Sequence, residues 1–233
     1  MTRLLARAPA PSCSIPAFLP STRCAQSFRV FHFRVLVLIR LQDFEGRAKM
    51  LKSYVPGQDT DGHGHGTHVS GTIGSKSFGV AKKTKIYGVK VLDNNGNGNN
   101  TSIMEAMDWV AKFVRCGQCP KGVYVNLSLR GRFSVAFNNA AAALVKAGVF
   151  VGVSAGNDGD NAGSYSPGAE PTVCTVGASD NDDNVLLWSN YGEVVDVFAP
   201  GQDIQSTWID GGWVRIPNRP LLAPERAALA CAY

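Results

Sequence analysis

Short apolar segments alternate with helical ones along most of this 233-residue chain, and that alternation confines it to one fold class. Ile86 to Leu92 (IYGVKVL), Val123 to Leu129 (VYVNLSL), Val149 to Val153 (VFVGV), Thr172 to Val176 and Val194 to Phe198 read as strands, most of them rich in β-branched residues. Continuous apolar character of this kind marks a strand covered on both faces. Between them, Ile103, Met107, Val110, Ala111 and Val114 share one helical face, behind a Ser102–Glu105 capping box. Ser134 to Lys146 is Ala-rich and helical, with Gly148 as its stop. Doubly buried strands separated by helices give an α/β domain, a mostly parallel central sheet in a three-layer arrangement. Ligands of such sheets bind beyond the carboxyl ends of the strands. Ser128-Leu129 and Ala155-Gly156-Asn157 both stand at such ends.

Three of the four histidines fall within six residues, in the run Asp61-Gly-His-Gly-His-Gly-Thr-His68-Val-Ser-Gly-Thr72. Their small neighbours cannot bury a core histidine, but they suit a helix packed very close to other backbone. A histidine in the first turn of that helix feels the positive end of the dipole. This favours the neutral imidazole that a general base needs. Two chemistries fit. As His-x-His-x-x-His, residues His63, His65 and His68 are zinc ligands of a hydrolase, with Thr67 where such sites usually carry an aspartate. As His-Gly-Thr-His-x-x-Gly-Thr, the run resembles the catalytic-histidine motif of subtilisin-like serine proteases, with His65 as the base.

The rest of the chain favours the second reading. Phe44-Glu-Gly-Arg-Ala48, Phe78-Gly-Val-Ala-Lys82, Gly88-Val-Lys-Val-Leu-Asp93, Cys119-Pro-Lys-Gly-Val123, Asn126-Leu-Ser-Leu129, Ala155-Gly-Asn157, Tyr165-Ser-Pro167, Glu170-Pro-Thr-Val-Cys-Thr-Val-Gly-Ala-Ser-Asp180 and Ser189-Asn-Tyr-Gly192 occur in order. With them, residues 42–208 resemble a continuous stretch of a subtilisin-like protease of the proteinase K branch. The resemblance implies a subtilisin-like fold, a serine-type endopeptidase activity, a polypeptide substrate or peptide ligand, a monomer and an extracellular location. It makes His65 the base and Asn157 the side-chain donor to the oxyanion, a neutral group aimed at charge that develops in the transition state. It makes Gly96, Gly98 and Asn100 one extended edge for the peptide and Ser128, Leu129 and Gly131 the other. Ser154, Ala155 and Gly156 then line the pocket for the side chain preceding the cut. The carbonyls of Pro171 and Val173 with the carboxylate of Asp196 match a structural calcium site, and catalysis needs no cofactor.

Both ends depart from the family pattern. The triad aspartate is expected in an Asp-Thr/Ser-Gly motif shortly before Phe44, yet residues 1–41 carry six arginines and no acidic residue. The serine is expected in Gly-Thr-Ser-Met-Ala after Trp208, yet no serine follows Ser206. The expected organisation is a mis-assigned or disordered basic segment over 1–41, a truncated peptidase domain over 42–208 and a foreign tail over 209–233. Val35 to Ile39 is the candidate replacement for the missing strand. Such a chain is catalytically incomplete, and a noncatalytic peptide-binding pseudoprotease is the alternative.

Charge excludes other classes. Outside residues 1–41 the chain holds 17 basic and 18 acidic residues (23 − 6 and 18 − 0), which gives no basic footprint for nucleic acid. Phe31 to Leu41 is interrupted by Arg34 and Arg40 and is too short to cross a membrane. Cys116-Gly-Gln-Cys119 has no second CxxC to complete a zinc site. Cys119 and Cys174 match half-cystines of the branch, with partners expected in the departing regions. Arg130 and Arg132 stand where the family usually has glycine, so an arginine here either obstructs the cleft or adds a preference for acidic residues.

Overall fold

The computed structural model describes residues 29–32, 42–115 and 122–216. Strands β1 (Arg29–His32) and β2 (Ala48–Ser53) precede helix α1 (His65–Gly74). Then come β3 (Lys85–Lys90), α2 (Asn100–Arg115), β4 (Val123–Leu127), the two-residue β5 (Gly131–Arg132) and α3 (Val135–Lys146). The chain continues through β6 (Val149–Ser154), β7 (Tyr165–Ser166), β8 (Cys174–Ser179), β9 (Val197–Pro200), β10 (Ile204–Thr207) and β11 (Trp213–Ile216). Seven strands form one sheet in the order β2-β3-β1-β4-β6-β8-β9, and every neighbouring pair in it is parallel. The α/β, three-layer architecture expected from the alternation is the observed one.

Two apolar layers cover the sheet. On one face Phe31, Val89, Val125, Leu127 and Val151 pack with Ile103, Met107 and Val110 of α2 and Phe137 and Leu144 of α3. On the other, Val30, Ile86, Tyr124 and Val176 pack with Val69 and Ile73 of α1. Successive strand residues point to opposite faces, so β1 contributes Val30 to one layer and Phe31 to the other, both essentially inaccessible. Phe31 meets Tyr87 and Phe113 at ring-centroid distances of 5.4 and 5.3 Å.

The boundaries expected from the sequence shift at both ends. The sheet crosses the one at residue 42, because Arg29–His32 pairs with β3 on one side and β4 on the other. The strand that fills this gap is therefore Arg29–His32, while Val35 to Ile39 lies outside the described residues. The boundary at 208 is also crossed, since β11 completes an antiparallel hairpin with β10. Helix α2 starts earlier than the capping box implied. Ser102 donates its N–H to Asn99 Oδ1 at 2.8 Å, so Asn99 is the capping side chain and Ser102 is already inside the helix.

Helix α1 lies so close to its surroundings that all ten of its residues are buried. Ser206 and Thr207 of β10 donate their hydroxyls to His68 O at 2.7 Å and Thr67 O at 3.0 Å. Any methyl group at Gly71 would collide with both hydroxyls. This is the close approach that its small residues permit.

Candidate active site

The candidate residues collect along the carboxyl edge of the sheet, beginning at the start of α1. His65 is 5 % exposed and follows Gly64, whose φ of 93° takes the left-handed turn into the helix. The entry is held by Asp61, 4 % exposed. Its Oδ1 accepts from His63 N at 3.0 Å and Gly64 N at 2.8 Å; its Oδ2 accepts from Thr67 N and Thr67 Oγ1, both at 2.9 Å. A carboxylate here satisfies the otherwise orphaned N–H groups of the first turn and complements the helix dipole. Nothing in periodicity assigns Asp61 this role; the signal is an acid shortly before a glycine-opened helix with threonine in its first turn.

A second tie runs from β3. Lys90 is fully buried and donates to Asn94 Oδ1 at 3.0 Å, an atom that also accepts from Gly62 N at 3.2 Å. Burial holds the Lys90 ammonium below its usual range, and the Asp61 and Asp93 carboxylates oppose that shift. The loop leading to His65 is thereby fastened to the end of β3.

The remaining candidates continue from this point. A methyl group on Gly131 would lie 3.4 Å from Asn100 Oδ1, which brings the exits of β3 and β4 together. Ser154 donates to Leu129 O at 3.4 Å, which joins the exits of β4 and β6. Ser128 accepts from Asn126 Nδ2 at 2.8 Å and is buried with Leu129, Ser154, Ala155 and Gly156. Half-buried Asn157 comes next. The segment carrying it is gripped by Asn190, which has no exposed surface. The Asn190 side chain donates to Ala155 O at 3.0 Å and accepts from Asp158 N at 2.8 Å and Asp160 N at 3.2 Å. Its backbone N–H bonds Gly156 O at 3.0 Å. Gly156 has φ 114°, and a Cβ there would strike the Asn190 amide, so only glycine fits. Asn190 stands in the Ser189-Asn-Tyr-Gly192 run, but no local pattern marks it for this role.

Two expectations need correction. Gly96 is not on an extended edge. It sits in a turn at φ 84°, where Asp93 accepts from Asn95 N and Asn97 N, and Asn100 already opens α2. Only residues 97–99 stay free of regular structure there, Gly98 among them. The zinc set is not assembled either. His68 directs Nε2 to Ile204 O at 3.1 Å and packs edge-on to Trp208. His63 is exposed, with its ring 6.4 Å from that of His65. Among the described residues no three His, Cys, Asp or Glu side chains are grouped to hold a metal.

Asp196 is exposed and accepts from Thr175 N through Oδ2 at 2.7 Å. This fixes its carboxylate beside the amino end of β8, two residues past Val173. Cys174 is disulfide-bonded, to a partner outside the described residues. Cys116 and Cys119 also lie outside them. No helix among the described residues is long and apolar enough to cross a membrane.

Comparison with known proteins agrees with the fold. A model of the subtilase family, Peptidase S8, matches residues 45–219. The chain is 53 % identical over 188 residues to a cuticle-degrading protease of Metarhizium anisopliae, covering 81 % of this chain and 48 % of that one. It is 50 % identical over 192 residues to proteinase T of Parengyodontium album, covering 82 % and 66 %. The crystal structure of a cold adapted subtilisin-like serine proteinase superposes with a TM-score of 0.79 at 34 % identity, over 88 % of this chain and 74 % of that one. The chain belongs to the subtilase family. It spans about half to two thirds of the length of these two curated relatives.

Proposed function

We propose that this chain is the peptide-holding part of a subtilisin-type serine endopeptidase, with the base and oxyanion donor in place but no nucleophile, so that as it stands it binds peptides without cleaving them. The observation that carries this reading is the continuous line of tied segments from His65 through Asn100, Gly131 and Leu129 to Ser154 and Asn157. A peptide laid along Leu129 to Gly131 meets backbone groups on that wall and places one side chain against Ser154 to Gly156. Asn157 Nδ2 then faces the carbonyl of the bond to be cut, and His65 stands ready to take a proton from an attacking hydroxyl. Two chemical parts are absent from the residues present: no carboxylate occurs before Gln42 and no serine after Ser206. Asp61 does not supply the first, since both its oxygens are engaged by helix N–H and Thr67 groups. Losing the serine of a triad costs about 10⁶ in rate, while binding and oxyanion stabilisation persist. The expected result is therefore measurable peptide affinity with no inhibitor-sensitive hydrolysis of casein or a peptide anilide. Turnover blocked by a serine-directed inhibitor overturns the inactive reading, and absence of any peptide affinity overturns the cleft.

A structural calcium belongs to the same proposal. Pro171 and Val173 carbonyls and the Asp196 carboxylate are hard oxygen donors of the type calcium takes, and Thr175 N orients the carboxylate. Millimolar calcium is expected to raise the thermal midpoint of the chain, and Asp196→Ala to abolish that increment. A midpoint indifferent to calcium removes the site. We also infer an extracellular location, which the disulfide at Cys174 supports.

A further inference from the structure

The two walls of the cleft are bridged by a side chain that neither wall requires. Arg130 lies between Leu129 and Gly131, and its Nη2 pairs with Asp158 Oδ1 at 2.6 Å, just beyond Asn157. On the way its Cδ passes 3.0 Å from the point where a Cβ on Gly156 would stand. The guanidinium lies 4.9 Å above the Tyr165 ring, in the orientation that attracts a cation to a π face. Tyr165 is itself tied, its hydroxyl donating to Asp160 Oδ2 at 3.2 Å and its backbone paired with Arg132 of β5. Asp158 is tied through its N–H to the buried Asn190. The arginine thus runs from one wall, across Gly156, to a carboxylate on the other, and both ends of the span are anchored.

We propose that Arg130, braced by Asp158 and Tyr165, plugs the pocket between Leu129–Gly131 and Ser154–Asn157, so that the cleft selects peptides with a small side chain at that position. This rests on reading the cleft as a peptide-binding site. A four-atom stem laid across Gly156 takes the volume that a large apolar side chain needs. The ion pair settles the charge question in the other direction from an acidic preference. Asp158 is already in place and has no translational freedom left to lose, whereas an acidic ligand side chain must be ordered and must displace it.

The test uses the purified full chain and fluorescein-labelled Ala-Ala-Pro-Xaa amides, with Xaa alanine, phenylalanine or glutamate, read by fluorescence anisotropy. The wild type is expected to bind the alanyl peptide about tenfold tighter than the phenylalanyl one. Arg130→Gly is expected to raise the ratio of phenylalanyl to alanyl affinity about tenfold. Asp158→Asn frees the guanidinium and is expected to create glutamyl binding that the wild type lacks. The same phenylalanyl-to-alanyl affinity ratio in wild type and Arg130→Gly overturns the plug and leaves the cleft standing. Glutamyl preference in the wild type, lost in Arg130→Gly, overturns it in favour of acid selection. Binding of no peptide by any of the proteins overturns the cleft reading and the plug with it. If Arg130→Gly does not fold, Asp158→Asn decides alone: new glutamyl binding supports the plug, and none overturns it.

Discussion

Asn190→Ala is expected to destabilise the chain by about 2–4 kcal/mol and to weaken peptide binding together with it. The substitution removes one donor and one acceptor that serve three backbone groups: Ala155 O, Asp158 N and Asp160 N. Ala155 is fully buried, so its carbonyl bears the whole desolvation cost, while the two amides regain some water. The void left beside Gly156 adds to the loss. Asn190→Asp does not rescue, because it sets a carboxylate oxygen against Ala155 O where an N–H now stands. Urea unfolding measures the first effect. Hydrogen exchange at the Asp158 and Asp160 amides measures the second, and it should accelerate even under conditions where the protein stays folded. A variant with unchanged exchange at those amides would show that Asn157 is held in place by something other than Asn190.

That hub illustrates where a sequence stops being readable. The doubly buried strands and the Ala-rich helix announce themselves because their signal is local: apolar continuity within five or six residues, or one face repeating every turn. The close packing of α1 was legible for the same reason, from its run of Gly, Ser and Thr. The start of α2 was less so. Asn99, Asn100, Thr101 and Ser102 are all competent caps, and the helix gains hydrogen bonds by using the first of them. β1 carries no comparable local signal: Val35 to Ile39 is the more apolar neighbour, whereas Arg29–His32 owes its place to partners more than 50 residues away. Within the site, His65 and Asn157 carry recognisable local motifs. Asp158 bonding Arg130 across 28 residues and Asn190 bonding Ala155 across 35 do not. Such pairs are products of topology, visible only once parallel strands bring their exits side by side.

Asp61→Ala is expected to cost more, roughly 3–5 kcal/mol at pH 7. Four donors lose a charged acceptor at once, three of them backbone N–H groups at the start of α1. The helix also loses the negative charge facing its positive end. Lys90 makes this loss dependent on pH. Burial already holds its ammonium below the usual value of 10.5, and the Asp61 carboxylate opposes that shift more than Asp93 does. Without Asp61 the folded-state value falls further. Below that value the folded state bears the full penalty of a buried cation. Between it and 10.5 the unfolded chain binds more protons, so stability rises with pH, and above 10.5 the penalty is gone. The gap between wild type and Asp61→Ala should therefore be widest near neutrality, shrink as pH rises between the two folded-state values, both of which lie below 10.5, and settle above them to a remainder that reflects the lost capping bonds. Urea midpoints at both ends of that range separate the two parts. A gap of constant size would mean that Asp61 acts on the helix alone and not on Lys90, and a gap under about 1 kcal/mol would mean that the entry to His65 is held chiefly by the Asn94 tie.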